Sequence, residues 1–212
     1  SVRRQRQMCI RDSHYDLNEW TNPNFAWSQG QCAAFTESWL AYDRDGQVAT
    51  LLEERTTYTE AIRIRHLDDA LSDLQITWND PTKLWEHLGP AVALDRLLAG
   101  YDALIRGLFA YNWRWRPWRA REMTYLLSLP WLPPDFEKHI LYIFSGPTAY
   151  LTKYRECFST LVGLRDDLVA QLVGEAAYSP DPFNQAFFRS HDIPGYAHNM
   201  DDWNAEHMKR SR

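Results

Sequence analysis

The chain has 212 residues, of which 45% are hydrophobic, and its formal net charge is −5. This length suits one domain, or one domain plus part of another, and the hydrophobic content suffices for a sizeable core. No apolar run approaches the roughly 20 residues that a membrane-spanning helix needs, and the acidic balance argues against broad nucleic-acid binding.

The first residues resemble a sequence that is not natural protein. Residues 3–13 read RRQRQMCIRDS, which is similar to one reading frame of a transposase-based sequencing-library adaptor. A natural basic arm that binds nucleic acid or a membrane is the alternative. We set residues 1–13 aside as an adaptor artefact and expect the natural chain to start near His14. Because the segment carries four arginines and one aspartate, the remaining chain has a formal net charge of −8.

The first part of the natural chain contains the patterns of a small α/β segment. The alternation in residues 14–20 predicts a strand, and residues 37–42, rich in Trp, Leu and Tyr, predict a second strand. Between them, residues 25–35 suit a short helix. Asp and Gly in residues 43–46 supply turn chemistry, after which residues 47–54 form a returning strand or a short helix.

Helical periodicity dominates the remainder. The clearest pattern predicts a helix over residues 90–112, with an apolar stripe on one face and charged side chains on the other. The stripe consists of Leu94, Leu97, Leu98, Tyr101, Leu104, Ile105, Leu108 and Phe109. Further helices are predicted over residues 59–76, 80–87, 119–129 and 135–144, and residues 148–175 are expected to form one long helix or two. After residue 179 the chain becomes polar and loses the period, so only short helices are expected there.

Two cysteines outside the adaptor segment, Cys32 and Cys157, lie far apart and lack CxxC spacing. Two buried thiols fit this arrangement better than a disulfide or a metal site, which favours a reducing cytoplasm. Cys157 sits in a helical stretch without a nearby base in sequence, so we interpret it as a core residue and not as a nucleophile.

Three short stretches carry a resemblance to a known family. Residues 42–46 read Tyr-Asp-Arg-Asp-Gly, and after several helices come FAYNWRWRP at residues 109–117 and LPWLP at residues 129–133. This order resembles the carboxy-terminal half of nucleotidyltransferase-like proteins of the polymerase-beta superfamily that carry an appended helical domain, including aminoglycoside-type adenylyltransferases. The resemblance covers roughly residues 35–146.

The chain departs from the family pattern at several points. Tyr111 stands where Leu is usual, and Ala120 stands where a lysine is common, with Arg121 one position later. The family's catalytic signature is a Gly-Ser turn followed by a strand with two aspartates one residue apart, and the chain lacks it. The resemblance therefore implies that the catalytic core lay upstream.

The periodicity and the resemblance together predict a mainly α fold, in which a helical bundle follows a small α/β remnant of a truncated nucleotidyltransferase domain. The remnant covers residues 14–55, the helical domain residues 56–178 and an irregular tail residues 179–212. The resemblance implies that the intact parent transfers a nucleoside monophosphate from an NTP to a small-molecule or protein acceptor, with Mg²⁺ as its metal. The fragment alone is expected to be inactive.

Carboxylates in such enzymes hold divalent metal ions that bridge the nucleotide phosphates. Asp16, on the strand predicted for residues 14–20, is the candidate here for a catalytic, metal-holding carboxylate. The alternative is a solvated aspartate at a strand edge.

The densest candidate for nucleotide binding lies at residues 112–121, which we call the arginine-tryptophan segment. Four arginines within eight positions alternate there with three tryptophans. Guanidinium groups bind phosphate in a bidentate manner and stack on aromatic faces. Nucleotide contacts are predicted for Asn112, Arg114, Arg116 and Arg121.

The same segment has other interpretations. Asn112 also suits a helix cap that orients a loop, and stacking of Trp on Arg occurs at surfaces and dimer interfaces. Interleaved basic and aromatic residues are typical of single-stranded nucleic-acid binding as well, although the acidic remainder disfavours it. The competing class of function is a non-catalytic helical module, such as a toxin-antitoxin partner or a dimerising regulator. A homodimer is thus among the expected partners, and a membrane is not.

Overall fold

The structure is a computed structural model that describes residues 15–76, 80–145 and 150–191. Ten helices and no strand occur within these ranges, so the predicted mainly α fold is confirmed. The adaptor assignment of residues 1–13 lies outside the described residues, as does the end of the predicted tail beyond His191.

The chain divides into two compact units, of which the first ends at Thr57. Its described part contains helices α1, α2 and α3, which span Leu17–Thr21, Gln29–Thr36 and Gln47–Thr56. An aromatic cluster forms its interior, since the ring centroid of Trp20 lies 4.4 Å from that of Trp27 and 5.3 Å from that of Phe35. Edge-to-face contacts of this kind add to the apolar area that the rings bury.

The two strands predicted in this unit are wrong where the structure describes them. Residues 17–20 are helical, and the Asp16 carboxylate caps α1 by accepting a hydrogen bond from the Asn18 N–H (2.9 Å). Residues 37–42 form no regular element. Gly46, at φ +77°, begins α3 instead of closing a hairpin. Whether this unit is the remnant of a larger α/β domain stays a prediction.

The second unit begins at Tyr58 and contains the other seven of the described helices. They are α4 Glu60–Ile76, α5 Pro81–Leu88, α6 Pro90–Tyr111, α7 Arg119–Leu126, α8 Phe136–Ser145, α9 Leu151–Gly174 and α10 Pro182–His191. Every helix predicted between residues 59 and 175 is confirmed, with ends that differ by no more than three residues. A side-chain cap explains where α5 begins, because the Asp80 carboxylate accepts a hydrogen bond from the Thr82 N–H (2.8 Å).

Helix α6 is the central element of the second unit. It packs against α4, α5 and α9, while α8 packs on α9 and α10 packs on α4. Its apolar stripe is buried or partly buried except at Leu98, whose side chain is exposed. A Cβ at Gly107 would lie 3.0 Å from Leu168 Cδ2 and 3.5 Å from Ala70 Cβ. The missing side chain therefore lets α4 and α9 approach α6 closely.

Helix α10 forms within the tail predicted for residues 179–212. The buried Asp68 carboxylate accepts hydrogen bonds from the Tyr178 hydroxyl (2.7 Å) and from the Arg189 guanidinium (2.8 Å). These bonds connect α4 with residues more than a hundred positions away, so local periodicity gives no sign of them. They fix α10 on the surface of α4.

Candidate anion-binding site

The arginine-tryptophan segment begins where α6 ends in a Schellman motif. The Trp113 N–H donates to the Ala110 carbonyl (3.1 Å), and the Arg114 N–H donates to the Phe109 carbonyl (3.0 Å). The motif places Trp113 in the left-handed region, at φ +58°, where glycine is usual. The Trp113 ring lies 4.9 Å from the guanidinium carbon of Arg63, and this cation–π contact offsets part of the strain.

The Asn112 side chain connects the end of α6 to the loop at Trp131. Its Nδ2 donates to the carbonyls of Leu108 (2.8 Å) and Trp131 (2.9 Å), and its Oδ1 accepts from the Trp131 N–H (2.9 Å). Both amide donors are thereby used. Asn112 caps its helix and orients a loop, while its contact with a nucleotide stays a prediction.

Arg116 lies between two carboxylates, and its side chain is only 17% exposed. Its Nη2 donates to Asp102 Oδ1 (2.6 Å), and its Nε donates to the Glu122 carboxylate. Burial opposes the positive charge, but the two hydrogen bonds outweigh it, so the pKa of Arg116 is raised. These charge-assisted bonds tie the segment to α6 and α7, which gives Arg116 a structural role.

Three arginines and three carboxylates alternate in one chain of ion pairs. In order they are Asp73, Arg106, Asp102, Arg116, Glu122 and Arg119. Burial raises the pKa of Asp102, but the hydrogen bonds from Arg116 and Arg106 outweigh it and lower the pKa overall. Because the three positive and three negative charges of this series of ion pairs balance, these three arginines add little net attraction for an anion.

Arg114 and Arg121 stand outside this chain of ion pairs. Both side chains are exposed, and neither forms a hydrogen bond or an ion pair with any residue that the structure describes. The neighbouring indole rings of Trp113 and Trp118 are about half exposed, at 47% and 51%. Two unpaired guanidinium groups near exposed tryptophans in the sequence can bind an anion, because guanidinium is weakly hydrated and binds phosphate in a bidentate manner.

A second cluster, which sequence reasoning misses, packs against Trp115. The Trp115 ring centroid lies 4.7 Å from that of Tyr58 and 5.8 Å from that of His66. The Tyr58 hydroxyl and His66 Nδ1 are 2.9 Å apart. Burial, followed by the positive charges of Arg65 and Arg106, lowers the pKa of His66 to about 4. The ring is therefore neutral at neutral pH, and no short sequence spacing could have indicated the cluster.

Asp16 lies in the first unit, where its carboxylate caps α1. Within the described part of the chain, no group of three or more His, Cys, Asp or Glu side chains could hold a metal ion. Asp16 therefore belongs to no such group, and its metal role stays a prediction. Cys32 and Cys157 are buried free thiols, as predicted, and burial raises the pKa of both.

No helix in the described ranges combines the length and the apolar composition needed to cross a membrane. Comparison of the chain with protein-family models gives no match. Comparisons with curated proteins and with solved structures give none either. The resemblance to nucleotidyltransferase-like proteins therefore depends on the sequence motifs alone.

Proposed function

We propose that the chain is the C-terminal part of a nucleotidyltransferase-like enzyme and that the arginine-tryptophan segment contacts the nucleotide. The intact parent would transfer a nucleoside monophosphate from an NTP to a small-molecule or protein acceptor. One observation carries the proposal: Arg114 and Arg121 are exposed and lack partners among the described residues, whereas carboxylates neutralise Arg116 and Arg119.

The two exposed arginines act by charge and by positioning. A triphosphate presents several anionic oxygens, and a guanidinium group can bind two of them at once. Catalysis of phosphoryl-type transfer depends almost entirely on such positioning and charge stabilisation. Asn112 and Arg116 hold the segment in place, so within the predicted set they are positioning residues, while Arg114 and Arg121 contact the phosphates.

Mg²⁺ belongs to the intact parent in this proposal. Because the described residues offer no group of three or more metal-ligating side chains, we assign no step of the reaction to a metal held by Asp16. The isolated chain is expected to lack transferase activity. A reducing cytoplasm is the proposed compartment, since Cys32 and Cys157 are free thiols.

Titration of the full chain with ATP tests the phosphate contacts. By calorimetry without added metal, we expect the ATP affinity to fall about fivefold for Arg114→Ala and for Arg121→Ala, since one exposed charge contact contributes about 1 kcal/mol. Arg96→Ala removes an exposed arginine from α6 and should leave the affinity unchanged. Unchanged affinity in both test variants would exclude the assignment.

The gene upstream of the His14 codon tests the proposed parent. A Gly-Ser turn followed by a strand with two aspartates one residue apart is expected there. A start codon close to His14 would instead favour a non-catalytic module.

A second candidate function is a non-catalytic helical binding or dimerisation module. Apolar side chains on α8 favour it, because Leu141 is 62% exposed, Phe144 49% and Tyr142 37%. Clustered apolar surface of this kind is typical of protein interfaces. Such a module needs no nucleotide, so the ATP titration distinguishes the two candidates.

A further inference from the structure

An open groove of about 1080 Å³ runs between α8 and α9. Its α8 wall presents residues at positions i, i+3, i+4 and i+7, and its α9 wall shows a similar spacing, so each helix contributes one face. The lining includes Lys138, Leu141, Ser145, Arg155, Ser159 and Val162.

The two helices are antiparallel, which fixes the order of side chains along the groove. Only a short connection joins Ser145 to Leu151, and Cys157 Sγ lies 3.9 Å from the Ile143 carbonyl oxygen. In antiparallel helices, this contact places Arg155 level with Ser145. Ser145 lies seven residues after Lys138 on α8. At 1.5 Å per residue, the two cationic side chains originate about 10 Å apart along the groove.

Lys138 and Arg155 give the groove an unbalanced positive charge. Neither side chain forms an ion pair with a residue that the structure describes. The one acidic residue in the lining, Glu156, already pairs with Lys153 (3.2 Å) and accepts a hydrogen bond from the Tyr142 hydroxyl. The groove is thus locally basic on a chain whose formal net charge is −5.

The groove also presents apolar side chains and is open to solvent. Leu141 is 62% exposed, and Val162 is only partly buried by the core. Small-molecule sites usually enclose most of their ligand, which this groove does not do. A groove between two antiparallel helices instead suits a third helix, whose apolar face enters it.

We propose that the α8–α9 groove binds an amphipathic helix of an acidic partner protein. Two carboxylates about two helical turns apart pair with Lys138 and Arg155, and apolar side chains of the partner helix pack on Leu141 and Val162. This proposal goes beyond nucleotide binding and does not depend on it, because no residue of the arginine-tryptophan segment lines the groove.

Fluorescence anisotropy with two labelled helical peptides tests the proposal on the full chain. Both peptides carry a leucine stripe, and they differ only at two positions seven residues apart, which are Glu in one and Lys in the other. We expect micromolar binding of the Glu peptide and at least about tenfold weaker binding of the Lys peptide. Equal binding of both peptides would overturn the proposal.

Charge reversal on the protein provides the matched variants. The double variant Lys138→Glu, Arg155→Glu should lose about tenfold in affinity for the Glu peptide and gain affinity for the Lys peptide. Arg96→Glu, an exposed reversal on α6, should change neither. Circular dichroism checks that the variants fold, and the reciprocal gain cannot come from unfolding. Loss of Glu-peptide binding without that gain would contradict charge pairing in the groove.

Two further measurements separate this proposal from its alternatives. Sedimentation velocity that shows a dimer, lost in Leu141→Asp, would identify the occupant as a second copy of the chain and overturn the proposal of a partner protein. The ATP titration repeated on Lys138→Glu, Arg155→Glu should match that of the unmodified chain. The ATP titration therefore reports on nucleotide binding and the anisotropy assay on peptide binding, so either proposal can fail without the other.

Discussion

Two non-glycine residues adopt left-handed conformations just after the two long helices α6 and α9. Trp113 has φ +58° and Ala176 has φ +56°. Both stand in Schellman motifs; in the second, the Ala176 N–H donates to the Val173 carbonyl (3.0 Å) and the Ala177 N–H donates to the Leu172 carbonyl (3.1 Å). The cation–π contact with Arg63 stabilises Trp113 in this conformation. Ala176 is exposed, and its methyl group forms no comparable contact with the described residues.

Replacing Ala176 with glycine should stabilise the protein. We expect the free energy of unfolding to rise by about 1 kcal/mol, because glycine removes the steric cost of the left-handed conformation. Urea unfolding followed by circular dichroism measures the change. Ala99→Gly makes the same chemical change at an exposed site inside α6 and should lower the stability by about 1 kcal/mol. Changes of the same sign at both sites would contradict the strain at Ala176.

His66 should make the stability depend on pH. Burial lowers the pKa of its imidazole to about 4 in the folded protein, below the value of about 6.5 in an unfolded chain. The unfolded state therefore binds more protons between these values, and the stability contribution present above pH 6.5 is lost as the pH falls towards 4.

We expect the free energy of unfolding of the unmodified chain to fall between about pH 7 and pH 4.5. The fall should be about 2 kcal/mol larger than that of the His66→Gln variant, which lacks the titrating imidazole. Urea unfolding at several pH values measures the difference. A direct control is the NMR titration of the His66 ring. A pKa near 6.5 in the folded protein would disprove the burial effect.

At the level of elements, the chain of ion pairs holds α7 against α6. The Glu122 side chain on α7 is only 5% exposed, and Arg116 connects it to Asp102 on α6. Removing one partner of a buried pair leaves the other charge poorly solvated.

Arg116→Ala should therefore destabilise the protein by about 2 kcal/mol, a value below that of a fully buried pair because Arg119 still neutralises Glu122. Arg114→Ala and Arg121→Ala should each change the stability by less than about 0.5 kcal/mol. Adding Glu122→Gln to Arg116→Ala should cost less than the two single changes combined. Thermal or urea unfolding measures these effects, and equal losses for all three arginines would remove the distinction between paired and unpaired side chains.

The helices of the second unit could be predicted from sequence because each one buries a face with a regular period. The helices of the first unit could not be predicted in the same way. The few alternating residues that predict a strand at residues 14–20 carry little information against a capping side chain such as Asp16. The sequence also indicates the arginine cluster. Helical spacing can indicate the pairs Asp102–Arg106 and Arg119–Glu122. It cannot indicate that Asp102 also pairs with Arg116, because that contact depends on how α6 and α7 pack.

At the level of the whole molecule, the second unit presents two basic regions on an acidic chain. The arginine-tryptophan segment has exposed guanidinium groups for a polyanion, whereas the α8–α9 groove combines Lys138 and Arg155 with apolar side chains for a helix. The first region is a contiguous segment of the sequence, whereas the groove forms only where α8 packs against α9. The packing of α10 on α4 likewise depends on residues far apart in sequence, because Asp68 accepts hydrogen bonds from Tyr178 and Arg189.

The division of the arginines into paired and unpaired groups is tested most directly by NMR of their Nε–Hε resonances during titration of the full chain with tripolyphosphate. We expect the resonances of Arg114 and Arg121 to shift together and saturate, while those of Arg106 and Arg116 stay unchanged because carboxylates already bind them. Shifts confined to Arg116, or no shift at any of the four, would contradict the proposed anion site.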